Sequence, residues 1–299
     1  MQRVRDGLRL TFITAILTIL AGSNHGAIAD DDMSVPQGLY LGQKAPGKTP
    51  ELFAPGSVSR SEYFEHSGAI FSPDLREVCW SAKPNAERYY NIYYMEMIGD
   101  SWTTPSAVPF LEHNYGERGP VISPDGHRLY FDHAGDIWMV ERQSDGWSTP
   151  AVVSELSDSS TRDRICSVTQ DGSVYFIRSG SAPGVRELFV CRTIDGALSA
   201  PVKSDKAIPT GYKAVGDMFV APDESYMITE LHIDDRTSEL FVSYKLNDGS
   251  WSDEIKLPLG WGRCPTVSPD GKYIFFMRRE GIYWADAGIL EELKPIEAK

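Results

Sequence analysis

Apolar and polar residues alternate with a period of two through most of the chain, and the alternating runs return in a fixed order. A short turn separates the first two runs of each set: "AIFSPDLREVCWS", "PVISPDGHRLYFD", "CSVTQDGSVYFIR", "MFVAPDESYMITE" and "PTVSPDGKYIFFM". Such alternation is the mark of strands with one face in a core. In the turn, Pro presets φ, Asp can bond nearby amides, and Gly admits the positive φ of a tight reversal. The first turn residues are Ser72, Ser123, Thr169, Ala221 and Ser268, so the spacings are 51, 46, 52 and 47. A period near fifty suits a four-stranded propeller blade.

The rest of each unit follows the same order. The strands flanking the turn are A and B. A third run, C, follows: "NIYYMEM", "DIWMVER", "ELFVCRT", "ELFVSYK" and "GIYWADA". Reversal signals come next at Asp145-Gly146, Asp195-Gly196 and Asp248-Gly249, dipeptides that suit two-residue hairpins. A fourth run, D, begins with an apolar residue and carries Pro three places on, as in Trp102/Pro105, Trp147/Pro150 and Leu198/Pro201; Trp251 is followed by Glu254 instead. Pro is tolerated on an outermost strand, where its missing N–H breaks no ladder. The fifth unit ends without a D strand, whereas residues 47–53 offer the D pattern with no A, B or C before it. These residues are expected to complete the last blade and remove its open edge. The expected fold is all-β, one propeller of five four-stranded blades over residues 38–299, with six blades as the alternative.

The first thirty residues read differently. Arg3, Arg5 and Arg9 precede an apolar run from Leu10 to Ala21, and "AIA" follows at residues 27–29. This is the order of an export signal, with cleavage expected after Ala29, a loose stretch at 30–37, and a periplasmic or secreted product. Losing three Arg and one Asp takes the formal charge from −13 to about −15. So acidic a surface repels phosphate backbones, and nucleic acid is not an expected partner. Cys79, Cys166, Cys191 and Cys264 each fall inside an expected strand. Buried free thiols are favoured there over disulfides. No Cys-x-x-Cys or Cys/His spacing suggests a metal, and no cofactor is expected.

The Ser-Pro-Asp-Gly repeats resemble the TolB-like, WD-type β-propeller repeats of bacterial exported proteins, and the resemblance covers nearly the whole chain after residue 29. It implies a propeller and, in the best-known relative, a part in envelope protein interactions. That relative has six blades and an extra N-terminal domain, and this sequence shows neither. Similar repeats form the propeller of some oligopeptidases, but no Gly-x-Ser-x-Gly elbow is present here.

Register turns the repeat into geometry, because A strands line a propeller's channel. Five places before the first turn residue stand Ser67, Arg118, Arg164, Gly216 and Arg263. Three Arg at one repeat position should gather at the channel mouth opposite the turns. The B–C loops add His133, Arg178, Arg278 and Arg279 on that face, the D–A segment adds Tyr212 and Lys213, and Trp261 is the aromatic expected to face the mouth. Such a mouth suits a carboxylate or phosphate, on a protein partner, a small molecule or a glycan. The alternative is structural: Glu117 and Asp163 adjoin Arg118 and Arg164 in sequence, Asp217 lies near, and ion pairs between blades would bind nothing. A rival class is a glycosidase-like enzyme using Glu117, Asp163, Asp217 and Glu230 as acid and base. Pairing with Arg would hold Glu117 and Asp163 ionised and unsuited to act as an acid. The expected protein is a non-catalytic, monomeric binding module.

Overall fold

The computed structural model describes residues 35–298, apart from 112–115, 145, 159, 180–185, 205, 207–210 and 235–236. The export signal expected at 1–29 lies outside the described residues. No described helix is long and apolar enough to cross a membrane.

Five antiparallel sheets form the blades of a β-propeller. In blade 2, strands A, B and C are Arg118–Ile122, Arg128–His133 and Asp136–Gln143. In blade 3 they are Arg162–Val168, Val174–Ser179 and Arg186–Cys191. Blade 4 is built from Ala214–Val220, Tyr226–His232 and Ser238–Tyr244, with Ile255–Trp261 as its outer strand. Blade 5 has Arg263–Val267, Tyr273–Arg278 and Gly281–Asp286. In blade 1, strand A is split into Tyr63–Glu65 and Ile70–Phe71, both paired with strand B, Glu77–Pro84, and strand C is Asn91–Ile98.

Closure takes the form anticipated from the N-terminal D pattern. Glu51–Leu52 pairs antiparallel with strand C of blade 5, Glu51 opposite Trp284 and Leu52 opposite Tyr283. Phe53 and Tyr40 then enter the seam between blades 1 and 5, among Phe71, Phe275 and Trp284. Pairing begins inside the stretch expected to be loose: Pro36 O accepts the Trp102 N–H at 2.9 Å, and Gln37 bridges to Ser101.

The turns use their residues as anticipated, with one addition. The Ser123 hydroxyl donates to Asp125, whose carboxylate also accepts the N–H of His127; the units at Ser72, Thr169 and Ser268 repeat this. Gly126 takes φ 73° at the reversal. Where Gly is absent, Leu75 and Glu224 adopt φ 61° and 58°, a strained region for residues with a Cβ. Leu75 buries its side chain in the core, and Glu224 bonds Arg192 and Tyr175.

The D strands of blades 1 and 2 are broken at their prolines. Ser101–Trp102 and Ser106–Ala107 flank Pro105, and Gly146–Trp147 and Ala151–Val152 flank Pro150. Each pair of segments bonds strand C on either side of the residue that lacks an N–H. All four cysteines are free and buried.

Candidate functional site

Among the described residues, open space adjoins the A strands at both of their ends, and the two spaces differ. The Ser-Pro-Asp-Gly turns rim a wide cavity of about 920 Å³, whose walls are the A strands and whose edge includes Ser123, Ser268 and the helix α1, Gly288–Leu293. At the other end, where the A strands begin, free space narrows to about 40 Å³ between Arg118, Arg164, Asp132, Asp217, His66 and Cys264. That is room for a few waters or one carboxylate group.

The A strands of blades 2 to 5 each shift register just inside this narrow mouth, between Arg118 and Val121, Ile165 and Ser167, Val215 and Met218, and Arg263 and Thr266. A bulge re-aims the side chains beside it. Cys264 sits in one of them at φ 51°, held there by its N–H on Glu230 and its thiol on Asp217.

The three arginines of the repeat position converge. Burial, followed by the guanidiniums of Arg164, Arg118 and Arg263, pushes His66 down to about 4, so its imidazole is neutral at pH 7. Their partners, however, are not the residues beside them in sequence. Arg164 bonds Asp217 of blade 4 and lies 3.8 Å from Asp132 of blade 2, tying three blades together. Arg263 donates Nε–H to Glu230 at 2.8 Å. Glu230 is 1% exposed and also accepts from His232, from the Cys264 N–H and from the Asp217 N–H. Despite its burial, these donors hold it down to about 2.

Arg118 differs from both. It is exposed, lies 5.1 Å from the Tyr90 ring centroid and forms no ion pair among the described residues.

The expected pairing of Glu117 with Arg118 and of Asp163 with Arg164 is not found. Successive residues on a strand face opposite ways, so each carboxylate meets a side chain on strand B of its own blade. Glu117 lies 3.2 Å from His133 Nδ1. Asp163, fully buried, is held by Arg178 through two bonds of 2.8 and 3.0 Å. Arg178 and His133 therefore serve the blade interiors. Arg278 bonds the carbonyls of Leu259 and Trp261 and stacks on Tyr283. Tyr212 packs on Phe241, and Trp261 ends the outer strand of blade 4 opposite Glu239. Lys213 is exposed, and its N–H bonds the His232 carbonyl.

Gly216, the blade 4 member of the repeat position, has a specific reason to lack a side chain: a Cβ there would meet the Glu230 carboxyl carbon at 2.2 Å. The mouth also holds residues the register argument passed over. Asp132, opposite Arg118 across strands A and B, is raised to about 7 by burial, against the pull of Arg164, the Ile165 N–H and Arg118. Arg186, at the start of strand C of blade 3, donates to the Val215 carbonyl and feels Arg164 and Arg263.

Asp217, Glu230 and Cys264 present ligand-type atoms within 4.8 Å of one another. The two carboxylates are engaged by Arg164 and Arg263, and burial pushes the Cys264 thiol up to about 12. This set works as a hydrogen-bonded clasp between blades 4 and 5.

A pH dependence follows from Asp132. As pH rises through about 7 its ionisation adds negative charge beside Arg118 and Arg164. One charge several ångströms away, partly screened, changes an anion's binding by roughly 1 kcal/mol, or about fivefold. If the mouth binds a carboxylate, the affinity of a dicarboxylate probe such as glutarate should therefore fall about fivefold from pH 6.5 to pH 8.5, and Asp132→Asn should flatten that slope. An equal slope in the variant would assign the effect elsewhere.

No protein-family model and no curated protein matches the chain. Among solved structures it is similar to TolB from Acinetobacter baumannii, with 13% identity and a TM-score of 0.44 over 74% of this chain and 54% of that one. It is similar also to an oligogalacturonate lyase in complex with manganese, at 13% identity and 0.46 over 76% and 66%. A third is prolyl oligopeptidase B from Galerina marginata, at 17% and 0.42 over 71% and 30%. The chain thus spans about half the length of the TolB it matches.

Proposed function

We propose that the protein is an exported binding module of the cell envelope whose contact face is the narrow mouth, where Arg118 takes a carboxylate or similar anionic group from a partner or ligand. One observation carries this reading. Arg164 and Arg263 are engaged in ion pairs between blades, while Arg118 at the same repeat position is exposed and, although Asp132 lies on the strand opposite, forms no ion pair within 4 Å among the described residues. A guanidinium presents paired donors that match a carboxylate in plane. The Tyr90 ring beneath it limits its conformations, and the lowered pKa of His66, caused by burial and then by Arg164, Arg118 and Arg263, reflects the guanidiniums gathered there. Placement in the envelope rests on reading residues 1–29 as an export signal.

Asp132 favours a second reading, catalysis, because a carboxyl group raised to about 7 beside a channel has the acidity of a general acid. Against it, the neighbouring carboxylate of Asp217 is engaged by Arg164 and by the Cys264 thiol, so it does not supply a second catalytic group. Glu230, held down to about 2 and fully bonded, is unsuited to proton donation. Glutarate titration separates the two readings when run beside an assay with aryl glycosides. The binding reading expects glutarate affinity that Arg118→Ala weakens tenfold or more, and no turnover. Turnover abolished by Asp132→Asn would establish the enzyme instead.

A further inference from the structure

We infer that the end of blade 1 beside the mouth is a docking surface for a short acidic peptide segment of a partner protein. The inference rests on the reading of Arg118 as an anion contact and names the partner that such a contact serves.

The surface is the tip of the blade 1 strands, Tyr63–Glu65 and Glu77–Pro84, with the loop that leads to Asn91. It combines two features of recognition surfaces. The first is aromatic area: Tyr89 is 42% exposed and Phe64 36%, and the Phe64 ring lies 6.4 Å from that of Tyr90. The second is positive charge laid on those rings. Arg118 is 5.1 Å and Lys83 5.7 Å from the Tyr90 centroid, and Arg88 is 5.4 Å from that of Tyr89. Tyr and Arg are the side chains that most often dominate protein interfaces, because each offers a large, rigid apolar surface and directed polar atoms. Exposed aromatic area of this kind gains free energy only when something covers it.

Charge sets the kind of partner. The whole chain carries −13, so a large acidic protein is repelled over most of its approach. A short acidic segment is screened from the distant charges beyond a Debye length of about 8 Å and senses chiefly the tip, where Arg118, Arg88 and Lys83 outnumber the exposed Glu87 and where Glu62 is paired with Arg60. Its carboxylates meet Arg118, Arg88 and Lys83, and its apolar side chains cover Phe64 and Tyr89. An acidic sugar fits less well, since sugar rings stack on a bare aromatic face. The Tyr90 ring is already contacted by Arg118, Lys83 and the edge of His66, whose ring is 5.1 Å away.

Calorimetric titration of the full chain with the peptide Ac-Glu-Phe-Glu-Glu-Leu-Glu-amide tests this, with glutarate and tetragalacturonate as companion probes. The peptide should bind, its affinity should fall with added salt, and the version with Gln for Glu should bind at least tenfold more weakly. The double variant Arg88→Ala, Tyr89→Ala should weaken the peptide about tenfold or more and leave glutarate unchanged, while Arg118→Ala weakens both. Peptide affinity unchanged by the double variant overturns the docking surface while the Arg118 site stands. Binding of tetragalacturonate in place of the peptide overturns the choice of partner. If Arg118→Ala alters neither glutarate nor peptide binding, the underlying reading of the mouth fails with it.

Discussion

Phe53→Ala is expected to lower the free energy of unfolding by about 3–5 kcal/mol, the cost of emptying a large aromatic site in a packed core. Phe53 is fully buried, with its ring 5.0 Å from that of Phe275, 5.1 Å from Trp284 and 6.0 Å from Phe71. It follows directly on the strand that completes blade 5, and its N–H bonds the Ile282 carbonyl of that blade's strand C. The side chain therefore anchors the closing strand as well as filling the seam between the last blade and the first. Urea unfolding should show the loss. Hydrogen exchange should show faster opening at Ile282 and Trp284 than at blade 3 positions, since the closing strand is what protects the outer edge of blade 5. A loss below about 1 kcal/mol would mean that the ring is held closed without this strand.

Arg178→Ala should cost a similar amount for an electrostatic reason. It leaves the Asp163 carboxylate in a site with no solvent exposure and removes the guanidinium that binds both of its oxygens. Breaking one side of a buried pair costs about 3–5 kcal/mol, because the remaining charge stays desolvated. Arg178 also bonds the Leu156 carbonyl and lies 5.2 Å from the rings of both Phe176 and Phe189, so packing is lost with the charge. The Asp158 N–H and the Thr161 hydroxyl still reach Asp163 and moderate the effect. Adding Asp163→Asn to the Arg178→Ala variant should recover part of the stability, since the orphaned charge is then gone. No recovery would place the whole loss in packing.

The propeller was legible because its signals are local and repeated. Five turns, five C runs and a stray D pattern at the N-terminus follow from strand alternation and turn chemistry, which act over a few residues. Register then carried Arg118, Arg164 and Arg263 to one place, and the shared influence of all three on His66 reflects that convergence. Their ion pairs were legible only in part: Asp217 was anticipated near the arginines and pairs with Arg164, but the other partners were not. Adjacency in sequence suggested Glu117 and Asp163, but neighbours on a strand diverge. The remaining partners come from other strands and blades, so Asp132 and Glu230 acquire these roles only once the sheets are stacked. Gly216 read as a gap in the arginine pattern; it is a glycine because the Glu230 carboxyl group occupies the space of its Cβ. The bulges that aim the mouth residues leave little trace in sequence, and Cys264 at positive φ has no local signature at all.

Arg118 is available where Arg164 and Arg263 are structural, and one paired measurement on Arg118→Ala tests this: thermal stability and glutarate affinity on the same preparation. Unfolding is expected within about 0.5–1 kcal/mol of the parent, as for an exposed side chain with one cation–π contact, together with a tenfold or greater loss of glutarate binding. A variant destabilised as strongly as Arg178→Ala, with glutarate bound as in the parent, would contradict it and make Arg118 one more bond between blades.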